Sequence, residues 1–295
     1  MKIKGSSGIS LKTVKMVSLI LFVLLLVVRI YQTFFLTDTE TGFFTSNNIT
    51  VPLMFILSVG TAVAVCILCY LAKNLPAGDV KKRTSPLYVA SGMIFAFTLL
   101  YEGIKDVRVM LGAGGDFAAA KEAVGGNTGF VAAVFSVLGA GAVLLSVFAY
   151  LKTGTLTGKL KIPMLFPVLW AFAQTLGFFS VTVSYIKIPQ LFLAIYSAAF
   201  LMIFLFENAR VTTGIGRKTA LWFYFASGIV AAGFCFATGV PALIAAIAAP
   251  EKLISYCPFE LYTLGGGLYA LASLFVRAEE KEEPAEIPEN VTEIE

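Results

Sequence analysis

Not one of the 295 residues is a histidine, and only 14% are charged. The first absence removes the commonest general base, the Ser-His route to hydrolysis and the imidazole ligands of zinc. The second falls well below the roughly one quarter of charged residues in an ordinary globular protein. Cysteine is scarce as well, at four. Cys66-x-x-Cys69 has the spacing of a redox or metal motif, but it lies mid-run among apolar residues with only Cys235 and Cys257 besides. These thiols read as core residues, and neither a cofactor nor a metal is expected. No P-loop occurs, and no basic stripe with interleaved aromatics points to nucleic acid.

What is abundant is apolar sequence, at 58% of the chain. Eight runs of 16 to 23 residues are almost free of charge: Met16–Phe35, Val51–Ala72, Leu87–Ile104, Phe130–Leu151, Pro163–Tyr185, Leu191–Phe206, Leu221–Val240 and Leu261–Val276. About 20 helical residues cross a bilayer core, so the expected fold is an all-α, polytopic membrane protein with eight transmembrane helices. The apolar stretch 241–250 is too short to span and is bracketed by Pro241 and Pro250, so it is expected to lie at the interface. Basic residues precede the first run, but the run is too long for a signal sequence and no small-x-small cleavage site follows, so it should remain as a membrane helix.

Orientation follows from Lys and Arg, which accumulate on the cytoplasmic side. With the N-terminus inside, the inner segments hold sixteen basic residues and the outer ones five. Both termini are therefore expected in the cytoplasm, and the short loops suit a prokaryotic plasma membrane. Residues 1–15 form a basic N-tail. Residues 277–295 carry eight glutamates and two prolines, which predicts a disordered acidic tail able to serve as a docking peptide for a cytoplasmic protein.

Two phrases recur. Tyr88-Val-Ala-Ser91-Gly92 is answered by Tyr224-Phe-Ala-Ser227-Gly228, with Ala96 on Ala232 and Gly103 on Gly239. Val51-Pro52 answers Ile188-Pro189, Gln32-Thr33 answers Gln174-Thr175, and Leu138-Gly139-Ala140-Gly141 answers Leu264-Gly265-Gly266-Gly267. The offsets drift from 142 through 137 and 136 to 126, each larger step falling where the first half has a longer outer loop. This order predicts two tandem four-helix repeats, 16–152 and 163–276, in parallel orientation. Gly92, Ala96, Gly228 and Ala232, with Gly139, Gly141, Gly265 and Gly267, are expected to let helix backbones approach closely.

Ionisable groups at membrane depth are the usual functional pointers. Arg29, Glu102 and Glu260 should lie at similar depth near the outer face, with Arg29 paired to one of the glutamates and Lys105 and Asp106 a turn further out. The plainer alternative has Arg29 snorkelling to the interface. Gln32 and Gln174 are the symmetric candidates, lining a polar site or bonding across the halves. Ala113-Gly114-Gly115-Asp116 resembles the GxGD signature of intramembrane aspartyl proteases, but lacks its first glycine and a second membrane aspartate. An enzyme is not expected. Two facing repeats favour a small-solute permease or channel-like protein, while sparse intramembrane charge favours a non-transporting scaffold or sensor acting through the acidic tail.

Overall fold

The computed structural model describes residues 9–40, 42–45, 49–72, 85–114, 116–153, 160–180, 189–213, 221–253 and 260–278. The acidic tail beyond 278, residues 1–8 of the N-tail, Cys257, Tyr185 and the loop residues Lys73, Lys81, Lys82, Arg83, Lys187, Arg217 and Lys218 lie outside that set.

The described chain is helical and forms no sheet: α1 Leu11–Phe35, α2 Thr50–Leu71, α3 Pro86–Gly112, α4 Phe117–Ala123, α5 Gly126–Thr153, α6 Phe166–Ser180, α7 Pro189–Thr212, α8 Leu221–Ala248 and α9 Leu261–Ala278. Seven stretches are long and apolar enough to cross a membrane, namely α1, α2, α3, α5, α7, α8, and α6 together with the 3-10 turn Pro163–Leu165 before it. The eighth run forms the shorter apolar helix α9.

Starts and stops follow local chemistry. Ser10 caps α1, its hydroxyl accepting from the Thr13 N–H at 3.1 Å. Ser85 precedes Pro86, which opens α3 where a missing N–H is harmless. Asp116, the last residue of the GxGD-like phrase, caps the short surface helix α4 by accepting from the Ala118 N–H at 2.9 Å.

Two boundaries differ from expectation. Residues 241–248 do not lie apart at the interface: α8 continues through Pro241, which is buried inside the helix. Proline removes one backbone bond, but leaving the helix in an apolar medium would strand many more N–H and C=O groups. At the other boundary, α3 and α7 run past their apolar segments through charged residues. Each keeps a glutamate paired with the base three positions on, Glu102 with Lys105 and Glu207 with Arg210, so the charges remain within the helix.

Neighbouring helices close into a ring in the order α3, α5, α6, α7, α8, α9 and back to α3, flattened so that α7 also meets α9. The α1–α2 hairpin packs on the outside of this ring, against α8. Within the two expected quartets, α3 packs on α5 and α8 on α9, and α1 packs on α2 and α6 on α7. However, α7 packs along α8 whereas α2 packs along α8 and not along α3.

The glycines decide how closely these helices meet. A Cβ at Gly92 would fall 2.5 Å from Val147 of α5, and one at Gly228 would fall 2.9 Å from Leu274 of α9. A Cβ at Gly267 would fall 2.9 Å from Cys235 of α8 and one at Gly139 3.3 Å from the Pro167 backbone of α6, while one at Gly141 would meet nothing within 4 Å. Ala96 and Ala232 are buried beside them.

Candidate functional site

Aromatic side chains fill the ring's axis. Starting near the beginning of α9, Tyr262 meets Trp170 edge-on with centroids 4.8 Å apart. Trp170 then meets Phe95 at 6.1 Å, and Phe95 stacks on Tyr269 at 5.4 Å. All four are essentially inaccessible to solvent. Stacked and edge-on rings are favourable contacts beyond their buried area.

Beyond Phe95 the column ends in a buried polar knot. The Tyr88 and Tyr269 hydroxyls lie 3.3 Å apart, and Asn208 Nδ2 donates to Tyr269 Oη at 3.2 Å. Tyr224 Oη donates to Asn208 Oδ1 at 3.5 Å and to the Ser273 carbonyl at 3.3 Å. Tyr88 also meets Tyr150 edge-on, and Tyr150 Oη accepts from the Ser85 N–H at 2.9 Å. Four helices, α3, α7, α8 and α9, are thus tied at one end of the ring. Sequence reasoning named Tyr88 and Tyr224 only as the first letters of a repeated phrase, and passed over Tyr269 and Asn208. The clue was there, since Glu207-Asn208-Ala209-Arg210 directly follows an apolar run.

Because Asn208 and Tyr88 both lean on one hydroxyl, Tyr269→Phe should lower stability by about 1–3 kcal/mol, the cost of stranding a buried donor. Tyr224→Phe, which loses longer bonds, should cost less. Thermal melts of the detergent-solubilised variants check the order.

The other end of the ring is acidic. Glu102 is buried in the second half of α3 and accepts from the half-exposed Lys105 ammonium. Glu260, just before α9, lies in the electrostatic reach of Glu102, Lys105 and Asp106. Glu102, Lys105, Asp106 and Glu260 thus act on one another electrostatically as one group.

Arg29 is not part of it. It lies buried between α1, α2 and the start of α7: Nη1 donates to Gln32 Oε1 at 3.1 Å and Nη2 to Gln190 Oε1 at 2.7 Å. Gln32 Nε2 in turn donates to the Thr50 carbonyl at 2.7 Å. Gln32 therefore bonds its own hairpin, whereas Gln174 is half-buried on α6, a helix that does not pack against α1. The two amides do not line a shared site. Arg29 neither snorkels nor meets Glu102 or Glu260 in a hydrogen bond or ion pair among the described residues. Its long side chain finds amide oxygens at hand, and Gln190 at the start of α7 supplies one.

The fold and these buried polar groups define the class: a helical protein with seven segments long and apolar enough to cross a membrane and an aromatic-filled six-helix ring. Compared with protein families, curated proteins and solved structures, the chain matches none.

Proposed function

We propose that the chain is a small-solute permease or channel-like protein of the plasma membrane whose path follows the axis of the ring. One observation carries this reading: buried polar groups sit at both ends of that axis, Glu102 at one and the Tyr88–Tyr269–Asn208–Tyr224 knot at the other, with aromatic rings between. Burying hydroxyls, an amide and a carboxylate inside a membrane ring is costly unless they serve a purpose. The aromatic column is then the closed state of the path.

In this reading α9 is the eighth crossing. Its 18 residues rise about 27 Å, close to the thickness of a hydrocarbon core. Both termini face the cytoplasm, in keeping with the sixteen-to-five distribution of basic residues. Residues 16–152 and 163–276 are read as copies of one quartet. In support, Ser91 donates to the Tyr88 carbonyl and Ser227 to the Tyr224 carbonyl, each at 3.1 Å. Gly92 and Gly103 of α3 meet α5 at Val147 and Val137, and Gly228 and Gly239 of α8 meet α9 at Leu274 and at Thr263 with Leu264. The placement of α2 against α8 is where the copies part.

A non-transporting scaffold or sensor is the second reading, favoured by the filled axis. Vesicles reconstituted with the purified chain separate the two. Under gradients of glycerol, urea, glycine and acetate, at least one solute should enter faster than into protein-free vesicles, and deletion of residues 278–295 should not change that rate. Protein-free rates for all four solutes, with Tyr269→Ala as well as with the native chain, would sink the permease reading.

A further inference from the structure

The acidic end of the ring holds more carboxylates than its cation can neutralise. Glu102, Lys105 and Asp106 come from α3, and Glu260 from the residue before α9. Lys105 is engaged by Glu102, whose side chain is only 7% exposed, so Asp106 and Glu260 share what remains of one ammonium. Glu260 retains some exposed surface as a residue, but its carboxyl is crowded by protein atoms.

A second observation points into the same place. Tyr262 is 1% exposed, and its hydroxyl makes no hydrogen bond of good geometry among the described residues. That hydroxyl lies beside the Glu260 carboxyl, close enough to favour its charged form. Trp170, edge-on to the Tyr262 ring at 4.8 Å, holds the phenol there. A buried hydroxyl next to an under-neutralised carboxylate is a ready partner for one further small species.

We propose that this end of the ring is a proton-binding site, with Glu260 as the carboxyl that takes the proton, Tyr262 as its hydrogen-bond partner and Lys105 as the cation that empties it. On uptake an O–H bond forms at the Glu260 carboxylate from a solvent hydronium, which leaves as water. The site then loses one negative charge, which its crowding favours. Release reverses the step: the half-exposed Lys105 ammonium turns from Glu102 towards Glu260, favours the carboxylate, and the proton returns to water.

Burial pushes the Glu260 carboxyl up to about 7, with Glu102 and Asp106 adding repulsion and the Tyr262 hydroxyl and Lys105 opposing. Among the described residues these are the charged and titratable groups that bear on it; from α8 only the Cys235 thiol reaches the cluster, beside Tyr262. The site stands whether or not the chain moves a solute.

Trp170 and Trp222 are the two tryptophans, so Trp222→Phe leaves a single reporter against Tyr262. In lipid nanodiscs, Trp170 emission should titrate once, near neutrality. Glu260→Gln should abolish that transition, Glu122→Gln on the exposed face of α4 should keep it, and Tyr262→Phe should move its midpoint to higher pH by removing a partner of the charged form. Infrared spectra of the native chain read the same event without a variant: a protonated-carboxyl C=O band present on the acid side and gone on the alkaline side. The absence of that band's titration, or an emission transition that survives Glu260→Gln, overturns the proposal.

Discussion

Gly265→Val should separate α3 from α9 and open the ring. A Cβ at 265 would fall 2.6 Å from Thr98 Oγ1, 3.1 Å from Thr98 Cγ2 and 3.2 Å from the Phe95 Cα. The first neighbour is a short β-branched side chain with few rotamers and the last is backbone, so neither can yield cheaply. Valine adds two further methyl groups in the same space. Overpacking of this kind costs about 1–3 kcal/mol in a core that can relax, and more where backbone is in the way. Because α3–α9 is the contact that closes the ring, the expected result is loss of most monodisperse protein on gel filtration and a large drop in melting temperature. Gly141→Val is the matched control, since nothing lies within 4 Å of its Cβ and it should behave as the native chain does. Equal damage from both would mean that glycine serves the helices in some way other than close approach.

That contrast marks how far the sequence could be read. Gly139, Gly141, Gly265 and Gly267 look alike as letters, and only the packing tells that three face a neighbouring helix and one faces outward. The apolar runs were legible because about 20 residues without charge have few stable alternatives to a membrane-crossing helix. Their ends were less so. Lys105 and Arg210 lie beyond the apolar runs, yet each pairs with a glutamate three positions back and stays within its helix. The repeated Tyr-x-Ala-Ser-Gly phrase carries one local bond in both places, since Ser91 and Ser227 each donate to the carbonyl three residues back. It could not tell that Tyr88 and Tyr224 end in one knot around Asn208 and Tyr269, because that depends on which helix lies beside which. Neighbour order leaves no periodic trace in a chain. For the same reason the offsets between recurring phrases could not predict the placement of α2 against α8.

Arg29 offers the second large effect, and two substitutions there should rank in an unexpected order. Arg29→Lys, the conservative change, is expected to cost more than Arg29→Met. The guanidinium serves two amide oxygens in different directions, Gln32 Oε1 and Gln190 Oε1, with Met54 Sδ 3.9 Å from Nη1. An ammonium is a compact, strongly hydrated point charge, shorter and without the fork, so lysine would keep the buried charge and lose at least one of its bonds. A charge buried without its partners costs several kcal/mol, and breaking such an arrangement costs about 3–5. Methionine removes the charge, fills similar volume, and strands the two amide oxygens, which are neutral, at about 1–3 kcal/mol each. Adding Gln190→Leu to Arg29→Met should recover part of that loss, because it removes one of the stranded acceptors together with its desolvation penalty. Chemical unfolding in mixed micelles gives the ranking. If Arg29→Met proves worse than Arg29→Lys, the positive charge itself stabilises the α1–α2 hairpin, and an acidic group, not the amide pair, is what Arg29 serves.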